Sequence, residues 1–236
     1  MKNVLIFGAS GHGSVALDCM EKEGKYNMVG FMDSYKKKGL QPNGYEILGN
    51  EVDLPFVADK YSVEGVFVAI GDNWIRKILV DRIKKILPNI AFISIVHPSA
   101  TIGRDVQIGI GTVIMPGVVV NANAVIRDFC ILNTSSSLGH DGHMESYSSL
   151  SPGVITGGSL WMGQHSVLAL GARVIENITI GKHSVIGAGS LVVDDVPEFV
   201  TAYGSPAQVI SQRVAGDSYL AGNKHTSSRL FITSDF

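Results

Sequence analysis

Two cysteines, Cys19 and Cys130, are all the thiol this 236-residue chain holds. They lie far apart, with neither metal-ligand nor redox spacing, and are expected to be buried free thiols in a reducing compartment. No apolar run of about 18 residues occurs, so no membrane span is expected. Charge is sparse: charged residues are 17% of the chain and the formal net charge is −2. A balance so near neutral argues against nucleic acid or an anionic membrane as a partner. No His/Cys/carboxylate spacing reads as a catalytic metal site, and no serine sits in a nucleophile-elbow pattern. The chain opens at once on a strand-like run rather than a secretory leader, and the protein is expected to be soluble and cytoplasmic.

Aliphatic residues, by contrast, are plentiful and strictly placed. From Val96 to Val192, every sixth residue makes a column of 17 positions, of which 16 are Val, Ile, Leu or Met. Thr156 is the one break, and no residue is inserted or lost. This is the signature of a hexapeptide β-helix. Three six-residue units close one triangular coil, so residues 18 apart stack, about 4.8 Å from one another. Four positions after the aliphatic residue the side chain tends to be small, as at Ala124, Ser136, Ser148 and Ser184, which suits a cramped corner. Two positions after it the chain turns and can point outward. Outward apolar residues such as Val119, Ile131 and Trp161 imply burial against a neighbour, because isolated solenoids leave edges and faces uncovered.

The first half follows a different rule. Residues 3–7 (NVLIF) run into GASGHG, then a helix-like stretch, then a second apolar run, residues 28–32, ending at Asp33. This is the opening of a nucleotide-binding, Rossmann-like α/β fold. Asp33 stands where an acidic residue could meet a ribose. The glycines read G-x-x-G-x-G rather than G-x-G-x-x-G, which disfavours NAD chemistry. Residues 36–50 read as loop, 51–60 as a short helix and 65–71 as a buried strand; an amphipathic helix follows, then a strand over 90–95. Gly8–Gly13, Asp33 and Gly71 all fall at strand ends, where open parallel sheets bind ligands.

On the solenoid, chemistry-bearing side chains crowd the block from Asn133 to His143. His140 holds the outward turn position, and Asp141 beside it can orient the imidazole and raise its basicity. One coil on lies Gly158, next to Gly157 and Thr156. Backbone N–H groups at such a glycine pair could stabilise a developing oxyanion. His12 lies in the glycine loop. His97, His165 and His183 show no neighbour set, and His225 falls in the C-terminal tail.

The segments FGASGHG, AIGDNWIRK, VIMPGVVVNANA, ILNTSSSLGHD and YGSPAQVI together resemble a family of bacterial sugar acetyltransferases. These join a nucleotide-binding-like N-domain to a left-handed β-helix. They include the nucleotide-linked 4-amino-sugar N-acetyltransferases of the bacillosamine and perosamine pathways, with sialic-acid O-acetyltransferases as relatives. The resemblance implies three segments: a Rossmann-like sugar-nucleotide domain (1–95), a left-handed parallel β-helix of hexapeptide repeats (96–212) and a tail (213–236) outside the match. It implies a homotrimer with acetyl-CoA between subunits, no metal, and a role in surface-glycan biosynthesis. It further implies His140 as general base oriented by Asp141, and Asn133 beside the acceptor. Ser10, Gly11, His12, Asp33, Ser34 and Gly71 would hold the sugar nucleotide; Gly158, Leu170 and Ala188 would contact acetyl-CoA through the backbone. Some relatives carry a histidine nine residues after the base, where this chain has Ser149.

The expected reaction is acetyl transfer to the amine of a nucleotide-linked amino sugar, with a UDP-linked 4-amino-4,6-dideoxy sugar as acceptor. O-acetylation of a sialic-acid-type hydroxyl is the alternative. A non-catalytic scaffold solenoid would not need the Asn133–Asp141 block.

Overall fold

The computed structural model describes residues 1–220. His225 and the rest of the expected tail beyond Leu220 lie outside the described residues. The N-terminal part runs β1 (Lys2–Phe7), α1 (Gly11–Glu23), β2 (Tyr26–Met32), β3 (Ile47–Gly49), α2 (Leu54–Lys60), β4 (Gly65–Val68), α3 (Asn73–Ile86) and β5 (Ala91–Phe92). The five strands are parallel, in the order β3-β2-β1-β4-β5. The order reverses at β1, which puts a crevice between the carboxyl ends of β1 and β4. Strand β3 lies inside the segment expected to be loop. Ile47 and Leu48 are buried there, and two apolar residues in a polar stretch were enough to add an edge strand.

The tight β1–α1 turn is sterically fixed. Gly8 has φ +100°, and a β-carbon on Gly13 would overlap the Gly8 carbonyl oxygen, so only glycine lets the helix start this close to the strand. Helix α1 ends where Gly24 turns left-handed, its N–H bonded to the Met20 carbonyl, a glycine C-cap. Helix α3 is capped by Asp72, whose carboxylate accepts the N–H groups of Trp74 and Ile75, each at 3.0 Å.

From Ile95 onward two-residue strands repeat every six residues and pair in parallel with the strand 18 residues on, as Val119 does with Ser137 and Val125 with His143. The result is a left-handed parallel β-helix with three faces. Face one carries the strands from Ile95–Val96 to Val185–Ile186, face two those from Thr101–Ile102 to Leu191–Val192, and face three those from Gln107–Ile108 to Thr179–Ile180. The aliphatic column lines the interior and is buried from Ile114 onward; Ile102 stays 37% exposed because no earlier coil covers its end of the prism. Most of the small corner residues are buried, and the hydroxyls of three bond to turn carbonyls: Thr112 to Arg127, Ser148 to Glu145, Ser184 to Pro197. A hydroxyl in a dry corner costs free energy unless it is paired, and each of these three is; Ser136 Oγ is buried without a partner among the described residues. An antiparallel hairpin, Val200–Gly204 with Ala207–Gln212, extends face one and closes the far end.

The N-domain lies across face one. Arg76 of α3 is fully buried at that junction. It donates to the carbonyls of Phe129, Ile70, Gly71 and Tyr147, and to Asn73 Oδ1 and Ser149 Oγ. Ile131, expected to face a neighbouring chain, is instead buried under this domain, whereas Val119 and Trp161 are exposed on faces two and three. The reason is that face one already has an intramolecular cover.

Candidate active site

His140 and Asp141 occupy the corner between faces two and three. The left-handed conformation there (φ +56° at Asp141) recurs in every coil, at Asp105, Asn123, Ser159 and Asn177. These are the short polar residues that tolerate it, so Asp141 alone is ordinary corner chemistry. What sets this coil apart is the imidazole one residue earlier. Its Nδ1–H donates to Asp141 Oδ2 at 2.7 Å, and Asn123 Nδ2 donates to the other carboxylate oxygen at 3.1 Å. The hydrogen bond from His140, then that from Asn123, hold the Asp141 carboxyl below the usual carboxylate range. With Nδ1–H committed, Nε2 is the nitrogen left to accept a proton. The ring edge bearing Nε2 lies over Gly158, where any β-carbon would overlap it.

Thr156, the break in the aliphatic column, sits beneath this corner. In other coils the residue after the inward aliphatic one donates its N–H to a backbone carbonyl of the next coil, as Asn121 does to Leu138 and Gly157 to Val174. Gly139 donates instead to Thr156 Oγ1, at 3.0 Å, and the hydroxyl itself faces the Ser137 carbonyl at 3.3 Å. The coil is thus reshaped at the residue preceding His140, and a side-chain oxygen replaces the backbone acceptor.

The other residues expected to bind ligand fall into three groups. His12, Gly71 and Asn133, far apart in sequence, line one cavity of about 210 Å³ between the N-domain and face one, together with Ser149 and Ser151. His12 Nε2 is buried there without a hydrogen-bond partner among the described residues. Burial, then the nearby Arg76 guanidinium, push its pKa down to about 4, so the ring is neutral near pH 7. Asp33 and Ser34 line a second cavity of about 100 Å³ on the α3 side of the sheet, with Gly8, Ile70 and Arg82. Although burial opposes its ionisation, Asp33 accepts N–H groups from Ala9, Lys36 and Tyr35, which together hold its carboxyl below the ordinary value. Lys36 Nζ also bonds the Ala9 carbonyl, so the glycine turn is tied to the β2 loop from both sides. Ser34 Oγ donates to Glu51 at 2.7 Å. Ser10 and Gly11 are exposed at the start of α1, and Leu170 and Ala188 are exposed, 18 residues apart, at the corner between faces one and two. That is a different corner from the one holding His140 and Gly158.

His143 stacks on Trp161, ring centroids 4.0 Å apart, and meets Glu145 at 3.0 Å. Ser149 Oγ donates to Asn73 Oδ1 at 2.6 Å within the interdomain network. Arg76 and Asn123 were passed over in the sequence, whereas Thr156 stood out there as the break in the aliphatic column. Asn123 could have been found by subtracting 18 from Asp141, whereas Arg76 looked like one more charge on an amphipathic helix. Among the described residues, no three His, Cys, Asp or Glu side chains gather as metal ligands. No helix among them is long and apolar enough to cross a membrane.

Comparison with known proteins agrees with this architecture. Residues 3–83 match the PglD N-terminal domain, and residues 99–134 match the bacterial transferase hexapeptide (six repeats). The GDP-perosamine N-acetyltransferase of Escherichia coli O157:H7 is 28% identical over 179 residues, 73% of this chain and 78% of that protein. The UDP-N-acetylbacillosamine N-acetyltransferase of Bacillus subtilis (strain 168) is 34% identical over 115 residues, 49% of this chain and 52% of that one. Among solved structures, PerB from Caulobacter crescentus in complex with CoA and GDP-perosamine superposes with a TM-score of 0.83 at 31% identity, covering 89% of this chain and 98% of that one. The acetyltransferase domain of PglB from Neisseria gonorrhoeae in complex with acetyl coenzyme A gives 0.81 at 28%, covering 89% and 99%. This chain belongs to the family of nucleotide-sugar N-acetyltransferases in which a PglD-type N-terminal domain precedes a hexapeptide-repeat β-helix.

Proposed function

We propose that the protein transfers the acetyl group of acetyl-CoA to the amine of a nucleoside-diphosphate-linked 4-amino-4,6-dideoxy sugar. The observation that carries this is the His140 imidazole, fixed at Nδ1 by Asp141 and open at Nε2 on an exposed coil corner over Gly158. The sugar amine attacks the thioester carbonyl. As the C–N bond forms, His140 Nε2 takes the amine proton. As the C–S bond breaks, the proton passes to the departing CoA sulfur. General-base help of this kind is worth about 10²–10⁴-fold. Asp141 keeps the correct tautomer and stabilises the imidazolium. The backbone N–H of Gly158 donates to the thioester oxygen as it gains charge.

The acceptor enters the cavity holding His12, Gly71 and Asn133, and its nucleotide reaches the strand ends near Ser10, Gly11, Asp33 and Ser34. Asn133 lies beside the amine. The backbone at Leu170 and Ala188 lies along the pantetheine arm. His140 and Leu170 stand on different corners of one prism, which supports a homotrimer whose sites form between chains. The exposed Val119, Ile155 and Trp161 on faces two and three are the surfaces such packing would cover. We place the enzyme in the cytoplasm, where its two free, buried thiols and both substrates are at home.

UDP is the nucleotide that the family resemblance implies, and the GDP-perosamine enzymes among the relatives put GDP beside it. Incubating the protein with acetyl-CoA and each of the UDP-, GDP- and dTDP-linked 4-amino sugars, and measuring free thiol, tests the reading. Thiol release should be strong with one nucleotide. No release above background with any of them would remove the assignment.

A further inference from the structure

Residues 213–220, outside the segment that resembles the acetyltransferases, do not trail away from the β-helix. They turn back over the domain junction. The Arg213 N–H donates to the Phe199 carbonyl at 2.8 Å, and the next turn is closed by the Val214 N–H on the Asp217 carboxylate at 2.8 Å. Gly216 then lies against the Trp74 indole: a β-carbon there would sit 3.0 Å from Nε1. Tyr219 descends beside α3 and donates its hydroxyl hydrogen to the Gly71 carbonyl at 2.8 Å. Burial pushes that phenol up to about 12, so it stays a donor. Leu220 follows with its side chain toward Gly71.

Tyr219 and Leu220 therefore complete a wall of the cavity that holds His12 and Asn133. Ile131 and Leu150 add further apolar lining to it. Leu220 keeps 57% of its surface exposed, so it is not needed to fill a core. The exposed part of its side chain is open to a ligand entering the cavity.

We propose that residues 213–220 form a specificity strap for the acceptor. Tyr219 pins the strap to the end of β4, and Leu220 offers an apolar surface to the sugar ring, favouring a methyl over a hydroxymethyl group at the exocyclic carbon. The inference rests on the reading that the acceptor occupies this cavity. A hydroxyl pressed against Leu220 would leave water without gaining a partner. A hydrophobic wall of this kind discriminates against an added hydroxyl by up to about 10²-fold.

The test uses matched 6-deoxy and 6-hydroxy nucleotide-linked amino sugars with saturating acetyl-CoA. The wild type should prefer the 6-deoxy acceptor in kcat/KM. Leu220→Ser should shrink that preference several-fold. Tyr219→Phe should raise KM for the sugar nucleotide by about 2–10-fold, the worth of one neutral hydrogen bond. Neither variant should move KM for acetyl-CoA. If both keep the wild-type preference and the wild-type KM for the sugar nucleotide, the strap is no part of the site. Should the wild type release no thiol at all, acetyl transfer fails as the function. Calorimetric titration with the same sugar nucleotides then decides the strap alone, and equal affinities for wild type and Leu220→Ser overturn it.

Discussion

His140 owes its proposed role to its own ring and to two neighbours, Asp141 and Thr156, each with a separate way of failing. Replacing the base itself should be the most costly. His140→Ala should leave a folded protein that still binds acetyl-CoA while kcat falls by at least about 10²-fold; near-normal turnover would remove His140 from the mechanism. Asp141→Asn keeps the ring and one oxygen acceptor, so its loss should be smaller. Thr156 acts one step further away, as a positioning residue. Thr156→Val deletes the acceptor of the Gly139 N–H and leaves that donor buried. We expect kcat to drop about 10-fold from a misplaced imidazole, with KM for both substrates unchanged and activity restored in Thr156→Ser. Equal activity in the Val and Ser variants would show that the hydroxyl does nothing for the site. At this scale the sequence was informative about which residues to inspect. His140 and Asp141 stood out by type and register, and Thr156 as the one polar residue in an aliphatic column. That the threonine replaces a backbone acceptor was not legible, because the hexapeptide pattern records which side chains face inward and not which carbonyls have been moved.

At the scale of elements, the corner between faces three and one carries a ladder that the aliphatic register hid. Phe129, Tyr147, His165, His183 and Phe199 stack with centroid spacings of 5.0, 5.3, 4.6 and 4.8 Å. All five have left-handed φ between 55° and 62°. That conformation costs roughly 1–2 kcal/mol at a non-glycine residue, and each aromatic contact returns about 0.5–1.5 kcal/mol beyond its burial, so stacking offsets part of the strain. The first four are 18 apart and were readable in principle; following the inward column alone made His165 and His183 look isolated. Trp74 of α3 meets both imidazoles edge-on or tilted, at 5.4 and 5.7 Å, so the ladder is also a docking rail for the N-domain. Burial, then His183, Arg76 and Lys77, push His165 from 6.5 down to about 3, and its Nδ1 has no partner among the described residues. The unfolded chain takes up a proton as pH falls through about 6.5, and the folded chain does not until about pH 3. Stability is therefore full above that window and declines as pH falls through it. The melting temperature should drop between pH 7 and pH 5, and His165→Phe, which keeps the stack, should flatten that drop. His12 and His183 are depressed as well, so the slope should shrink without vanishing. Identical slopes for the two proteins would mean that His165 is not the proton-linked group.

For the whole molecule, the repeat fixed the architecture of the second half from its period alone, and the strand–glycine–helix opening fixed the class of the first. How the two meet was not legible. Nothing in the spacing of His12 and Asn133 says that an N-domain loop and a coil corner will share a cavity, because that depends on Arg76 and α3 closing over face one. The same assembly has a consequence for the reaction. The cavity with His12 and Asn133 opens at face one, whereas His140 stands at the corner between faces two and three. A single chain thus separates the proposed acceptor cavity from the proposed base. A cyclic homotrimer would bring the His140 corner of one chain to the Asn133 side of the next, by a heterologous contact that closes after three subunits. Light scattering should give three chains, and a complementation experiment tests the shared site directly. His140→Ala and Asn133→Ala homo-oligomers should each be nearly inactive. Mixed oligomers made by co-expressing the two should regain about a quarter of wild-type activity, since one site in four would pair an intact His140 with an intact Asn133 from its neighbour. If each site were built within one chain, every subunit would carry one lesion and mixing would restore nothing. A fully active monomer, or mixed oligomers no more active than their parents, would refute a site built between subunits.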